Sequence, residues 1–190
     1  MKKWIPFVLS LPLILAGCAS ARLPQQPSLE SLPVDYSLEQ AKADGCVVFE
    51  NIRVTSGQEI WDTFLKEVDT GHAATVRLGF YYTLDPAQCD PAYYESVKDQ
   101  YPVLYIEELA FDGTRYTIRC LEDGQVRERT YQYLMKYEGE PESPNASYSS
   151  YTRYVLTNDQ TVTWRDIEYG MFSSHFGDAI DHHLVYSNLI

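Results

Sequence analysis

The residues best suited to chemistry in this sequence gather near its C-terminal end, where His175, Asp178, Asp181, His182 and His183 stand close together. Imidazole nitrogens and carboxylate oxygens are ordinary ligands for zinc and related divalent ions, and three or four of them would make a site. The spacing argues against one. The tail "HHLVYSNLI" reads as a strand. Neighbours in a strand point to opposite faces, so at most one of His182 and His183 joins His175 easily. No HExxH occurs in the chain to supply the paired histidines of a helical zinc site. The expectation is a polar strand start, with no metal and no cofactor.

Asp181-His182-His183 also spells the signature of a phosphoesterase class, but the other carboxylate motifs of that class are missing. Nucleophilic catalysis has no better footing. There is no GxSxG, no SxxK, and no cysteine in the context of a thiol protease. Ser173 and Ser174 stand beside His175, yet neighbours in sequence at a helix end rarely form a triad. "DPAQCD" lacks the glycine and carboxylate spacing of an EF-hand loop, and phosphate-cradling glycine loops are absent. The 27 acidic residues offer many carboxylate pairs to a glycosidase, and spacing singles out none.

What the chain has in excess is tyrosine, 16 residues in 190. A tyrosine carries a flat apolar ring with a hydroxyl at its tip, which suits stacking on a sugar or holding a peptide. Tyr131, Tyr133 and Tyr137 are expected on one strand face with Met135, as core filling. Tyr81 falls on the less apolar face of its strand, and Tyr93, Tyr94 and Tyr101 fall in an insert from Asp85 to Pro102. These four are the candidate ligand-binding residues; the alternative is that Pro91 to Lys98 is a helix whose tyrosines cap one end of the sheet. The insert separates two strands that should be neighbours and is far longer than a hairpin requires. Its rings lie beside Asp85, Asp90, Glu95 and Asp99. Apolar rings in an acidic rim suit a basic peptide or an amine-bearing wall component.

The elements that position these residues follow from periodicity. "YSLEQAKADGCVVF" reads as a short helix from Ser37, stopped near Gly45, then a strand through Val47 to Phe49. In "TSGQEIWDTFLKEVDTG", Ile60, Trp61, Phe64, Leu65 and Val68 share one helical face, with Ser56 and Glu59 as a capping box and Gly71 as the stop. "ATVRLGFYYTL" alternates Val76, Leu78, Phe80, Tyr82 and Leu84 against Arg77, Gly79, Tyr81 and Thr83, a half-buried strand. A short helix is expected after Pro91. "VLYIEELAF", "TRYTIRCLE" and "QVRERTYQYLMKY" are three strands separated by Asp112-Gly113 and Asp123-Gly124, strong hairpin signals. "YSSYTRYVLT" is another strand, Thr163 caps a helix from Trp164, and the C-terminal tail is the last strand. Consecutive strands with helices before and after them predict an α+β fold, an antiparallel meander with helices packed mainly on one face.

The first forty residues concern location. Lys2 and Lys3 precede an apolar run to Ala16, the layout of a secretory signal. That run is short for a membrane span and contains Pro6 and Pro12. "LAGC", Leu15 to Cys18, resembles the lipobox of bacterial lipoproteins. The resemblance implies a diacylglyceryl group on the Cys18 thiol and cleavage just before it. The expected organisation is a signal peptide over 1–17, a lipid-anchored flexible tether over 18–35 and one α+β domain over 36–190. Expected location is the extracytoplasmic face of the cell membrane, reached through lipidated Cys18. The formal charge is −12, from 15 basic and 27 acidic residues. Removing Lys2 and Lys3 with the signal leaves 13 basic against 27 acidic, or −14. Such a chain holds no nucleic acid by phosphate contacts; cations and basic partners are what it attracts. Cys46, Cys89 and Cys120 allow at most one disulfide among them, and no pair has CxxC spacing. Cys120 reads as a small core residue.

"YSLEQAKADGCVV", "ATVRLGFYYTLD", "DGTRYTIRCLEDG" and "YVLTNDQTVTWRDIEYGMFSS" resemble an uncharacterised family of small lipoproteins from Gram-positive gut bacteria, over nearly all of residues 36 to 186. That resemblance implies a single-membrane cell and assigns no catalytic residues. The functional expectation is a non-catalytic binding or interaction module for a cell-surface glycan, peptide or protein; the alternative is a hydrolase acting on cell-wall material or phosphoesters.

Overall fold

The computed structural model describes residues 26–122, 124–175, 177 and 179–190; the signal peptide and Cys18 lie outside them. The fold is α+β, with two sheets among the described residues.

After a 3-10 turn at Leu29–Ser31, the first helix, α1, runs Leu38–Ala43. Its capping box is reciprocal: Gln40 N donates to Ser37 Oγ at 3.2 Å and Ser37 N to Gln40 Oε1 at 2.8 Å. Strand β1, Val47–Glu50, then turns back as β2, Arg53–Ser56. The turn is made by Asn51 and Ile52 with φ of 45° and 70°. Two positive φ angles belong to hairpin turns, but a β-branched residue is an unusual occupant, so Asn-Ile gave no hairpin signal.

Helix α2, Gln58–Asp69, follows without the expected capping box. Ser56 is the last residue of β2, opposite Val48, and the N-cap is Gly57 at φ 78°, with no side-chain cap. The backbone crowding explains the glycine: a Cβ there would meet the Cys46 carbonyl oxygen at 2.6 Å.

Strand β3, Ala74–Tyr82, pairs in parallel with β1 and antiparallel with β4, Val103–Phe111. Strands β5, Tyr116–Glu122, and β6, Gln125–Tyr131, complete a six-stranded sheet of order β2-β1-β3-β4-β5-β6. The expected meander is β3 to β6, and Gly113 and Gly124 turn it at φ of 98° and 73°. Between β3 and β4 lies α3, Pro91–Val97, the short helix expected after Pro91. A three-stranded sheet holds β7, Tyr133–Gly139, β8, Tyr151–Thr157, and β9, His182–Leu189. Helix α4, Trp164–Phe172, is capped by Thr163 as expected, through a box with Asp166.

The segment "QVRERTYQYLMKY" is two strands in different sheets, broken at Gln132. The tyrosine stripe expected there is therefore divided. Tyr131 is in the main core, with its hydroxyl 3.4 Å from Asp181 Oδ1. Tyr137 instead stacks at a tilt near Trp164 of α4, at 6.1 Å.

Helices occupy both faces of the large sheet. On one, Trp61 and Phe64 of α2 pack with Val47, Phe49, Val76, Leu78, Leu109 and Ile118, and with Leu156 and Tyr186 of the small sheet. Trp61 lies 4.8 Å from the Tyr186 ring and 5.1 Å from that of Tyr154. On the other face, Leu29, Ala41, Cys46, Val48 and Ile106 form a second cluster. Leu29 is fully buried. The expected tether over 18–35 is thus too long: its C-terminal part is structural and covers a sheet face.

That cover changes the reading of β3. Its polar-looking face is buried at Arg77, 3 % exposed, and at Gly79. Arg77 Nη2 donates to Glu108 Oε2 at 3.1 Å, while its Nε and Nη1 have no partner among the described residues. Arg119 Nη1 donates to the other Glu108 oxygen at 3.1 Å, and Nη2 reaches Glu30 at 2.7 Å. Glu128 lies 3.7 Å from Arg119 Nε. These side chains form a row of alternating charge across β3, β4, β5 and β6, closed over by the Leu29 turn.

Candidate functional site

Tyr81, near the end of β3, is brought to the insert by two devices. Asn51 locks the strand end: its backbone N–H donates to the Tyr81 carbonyl at 3.0 Å, its Nδ2 to Thr83 Oγ1 at 2.7 Å, and its Oδ1 accepts from Thr83 N at 3.0 Å. The insert is ordered by its Asp-Pro pairs. Asp85 accepts from Ala87 N at 2.9 Å, and Asp90 accepts from Ala92 N and Tyr93 N at 2.9 and 3.1 Å, with Pro91 at the first helical position. Tyr101 precedes a cis peptide bond to Pro102.

The result is a cleft of about 190 Å³ lined by Tyr81, Thr83, Leu84, Tyr94, Lys98, Tyr101 and Pro102. A wider groove of about 610 Å³ adjoins it, with Val34–Glu39 on one wall and Tyr81, Pro102, Val103 and Leu104 on the other. Tyr81 and Pro102 line both. Three of the four expected tyrosines thus converge. Tyr93 does not: adjacent helical residues diverge by about 100°, and its side chain is 53 % exposed and lines neither space.

The cleft tyrosines differ from several others in the chain. Tyr36, Tyr137 and Tyr186 donate at 2.7 Å to Asp44 Oδ2, the Val162 carbonyl and Gln58 Oε1, respectively. The hydroxyls of Tyr81, Tyr94 and Tyr101 have no hydrogen-bond partner among the described residues. They are held in place by backbone and packing while their polar tips stay available. Asp35 and Glu39 add carboxylates to the groove, and Lys98, paired to Glu95 at 2.6 Å, adds an ammonium to the cleft.

The histidines disperse. His182 Nδ1 contacts the Ile180 carbonyl at 2.7 Å, His183 Nε2 lies 2.9 Å from Glu107 Oε2, and His175 is exposed. Asp178 is outside the described residues. Among those described, no group of three His, Cys, Asp or Glu side chains is arranged for a metal. The Glu107–His183 pair, which joins the two sheets, escaped the sequence reading because its members are far apart in the chain. Cys120 pairs opposite Glu107 in β5. The Cys120 thiol titrates above its ordinary range. Burial, with Cys120 Sγ donating to Glu122 Oε1 at 3.4 Å, pushes it up to about 11, so it stays protonated at neutral pH. Cys46, Cys89 and Cys120 are all free thiols, and Cys120 is partly rather than fully buried.

No helix among the described residues is long and apolar enough to cross a membrane. Comparisons with protein-family models, curated proteins and solved structures give no match.

Proposed function

We propose that this chain is a membrane-anchored extracytoplasmic lipoprotein whose domain is a non-catalytic binding module. The observation that carries the reading is the convergence of Tyr81, Tyr94 and Tyr101 on one cleft with their hydroxyls unengaged. A tyrosine ring that lines a concave surface with its hydroxyl unbonded can offer both an apolar face and a polar tip to a ligand. The lipobox-like "LAGC" supports the anchor at Cys18.

The route of the chain is compatible with that anchor. Gln26 lies beside Asp44, Gly45 and Thr75, at the start of β3, and its Nε2 donates to the Asp44 carbonyl at 2.6 Å. The cleft is at the far end of that strand, about 25 Å away at ~3.3 Å per residue. Between Cys18 and Gln26 the backbone can span at most about 28 Å. A lipid on Cys18 would therefore join the domain to the bilayer through Gln26, at the end of β3 opposite the cleft, and keep the domain within about 28 Å of the membrane face.

The test has two parts. Cys18→Ser should move the chain from the detergent phase to the aqueous phase in Triton X-114 partitioning, or leave it unprocessed. In a thermal-shift screen of wall fragments and peptides, Tyr94→Ala should remove any stabilisation found for the parent chain while leaving its own unfolding cooperative. A chain that is cleaved yet soluble rejects the anchor. Ligand stabilisation that survives Tyr94→Ala and Tyr101→Ala rejects the cleft.

A further inference from the structure

We infer that the cleft and its adjoining groove take a short peptide with a free amine, its ammonium end at Asp35 and Glu39 and its carboxylate end toward Lys98; this rests on the binding-module reading above. Shape is the first support. Groove and cleft, of about 610 and 190 Å³, share Tyr81 and Pro102 and so lie side by side, an arrangement that suits a chain segment reaching into both more than a single ring.

Charge is the second. Asp35 has no ion pair among the described residues, and the Glu39 side chain, 82 % exposed, shares only a 3.6 Å contact with Lys42. Lys42 makes its shorter contact, 2.9 Å, with Glu50. The groove end therefore offers two carboxylates with little internal neutralisation, and the cleft end has Lys98, whose ammonium keeps further donors beyond its 2.6 Å bond to Glu95. A chain of net charge −12 draws in cations and repels polyanions. The third support is hydrogen-bonding capacity, from Tyr81 where the two spaces meet and from Tyr94 and Tyr101 in the cleft. A peptide backbone carries alternating donors and acceptors, which three unengaged tyrosine hydroxyls can meet as either. A neutral sugar could use the rings but would leave Asp35 and Glu39 without a partner.

The test titrates the full-length chain in detergent micelles with lysyl-alanyl-alanine, its amine-acetylated form, its C-terminal amide, and chitotetraose, followed by calorimetry. The free tripeptide should bind saturably, acetylation should weaken it by about three- to tenfold, and amidation by about threefold. Glu39→Gln should shrink the loss caused by acetylation, and Lys98→Met the loss caused by amidation; both residues are exposed, so the fold tolerates them. Equal binding of free and acetylated peptides overturns the inference, as does no saturable binding of the free peptide. Chitotetraose binding that Tyr94→Ala abolishes also overturns it, while leaving the cleft a binding site. Silence toward all four probes overturns both the ligand and the binding-module reading.

Discussion

Cys46 shows what burial does to one titratable group. It is fully buried, and desolvation pushes its thiol from 9.0 up to about 11 despite the opposing pull of the Arg77 charge. The folded chain holds the thiol neutral where the unfolded chain ionises it. Its contribution to stability is therefore complete below about pH 9 and is lost as pH rises toward about 11. Tyr36 shifts in the same direction, from burial first and its bond to Asp44 second. The melting temperature should fall across that alkaline window, and Cys46→Ala should make the fall shallower when melting is followed by circular dichroism. An identical slope in the variant would remove Cys46 from the account. None of this was legible in "DGCVV", where the cysteine could as well have sought a disulfide.

Among the elements, the charged row across β3, β4, β5 and β6 is decided by register. Arg77 pairs opposite Glu108, Glu108 opposite Arg119, and Arg119 opposite Glu128. Only Arg77 is deeply buried, so Glu108 is the member on which the others depend. Glu108→Leu should destabilise the chain by about 3–5 kcal/mol, because it leaves a buried guanidinium without its counter-charge. Adding Arg77→Met should recover most of that loss, since a paired apolar replacement avoids the uncompensated charge. Urea unfolding of the two variants measures both, and a double variant no more stable than the single one would reject the dependence. The alternation in "ATVRLGFYYTL" correctly placed Arg77 on the face opposite Val76 and Leu78. It could not say that this face was covered too.

For the whole molecule, the cover is the segment around Leu29. The composition of "ASARLPQQPSLESLPV" resembles a linker, but one leucine inserted between the sheet and α1 and a glutamate on Arg119 make it part of the domain. Leu29→Ala should cost about 2–5 kcal/mol, as for other fully buried leucines. A flexible tether would show no loss. Thermal unfolding of that variant tells them apart, and a melting temperature equal to the parent's would return residues 26–32 to the tether.

The sequence by itself determined the α+β class, the short helix beginning at Ser37, the helix cap at Thr163, the glycine turns at Gly113 and Gly124, and the helix after Pro91. These depend on local periodicity and on backbone angles that few residue types adopt, so they can be read within a dozen residues. The same local logic put Tyr81, Tyr94 and Tyr101 forward for a site. Only the tertiary structure decided that they meet and that Tyr93 stands apart. It also decided that Ser56 ends a strand instead of capping a helix, and that one apparent strand divides at Gln132 between two sheets. It alone joined Glu107 to His183 and closed Leu29 over the sheet face that carries Glu108 and Arg119. Each of these depends on which distant segment covers a face, and burial between segments far apart in the chain leaves no periodic trace in either one.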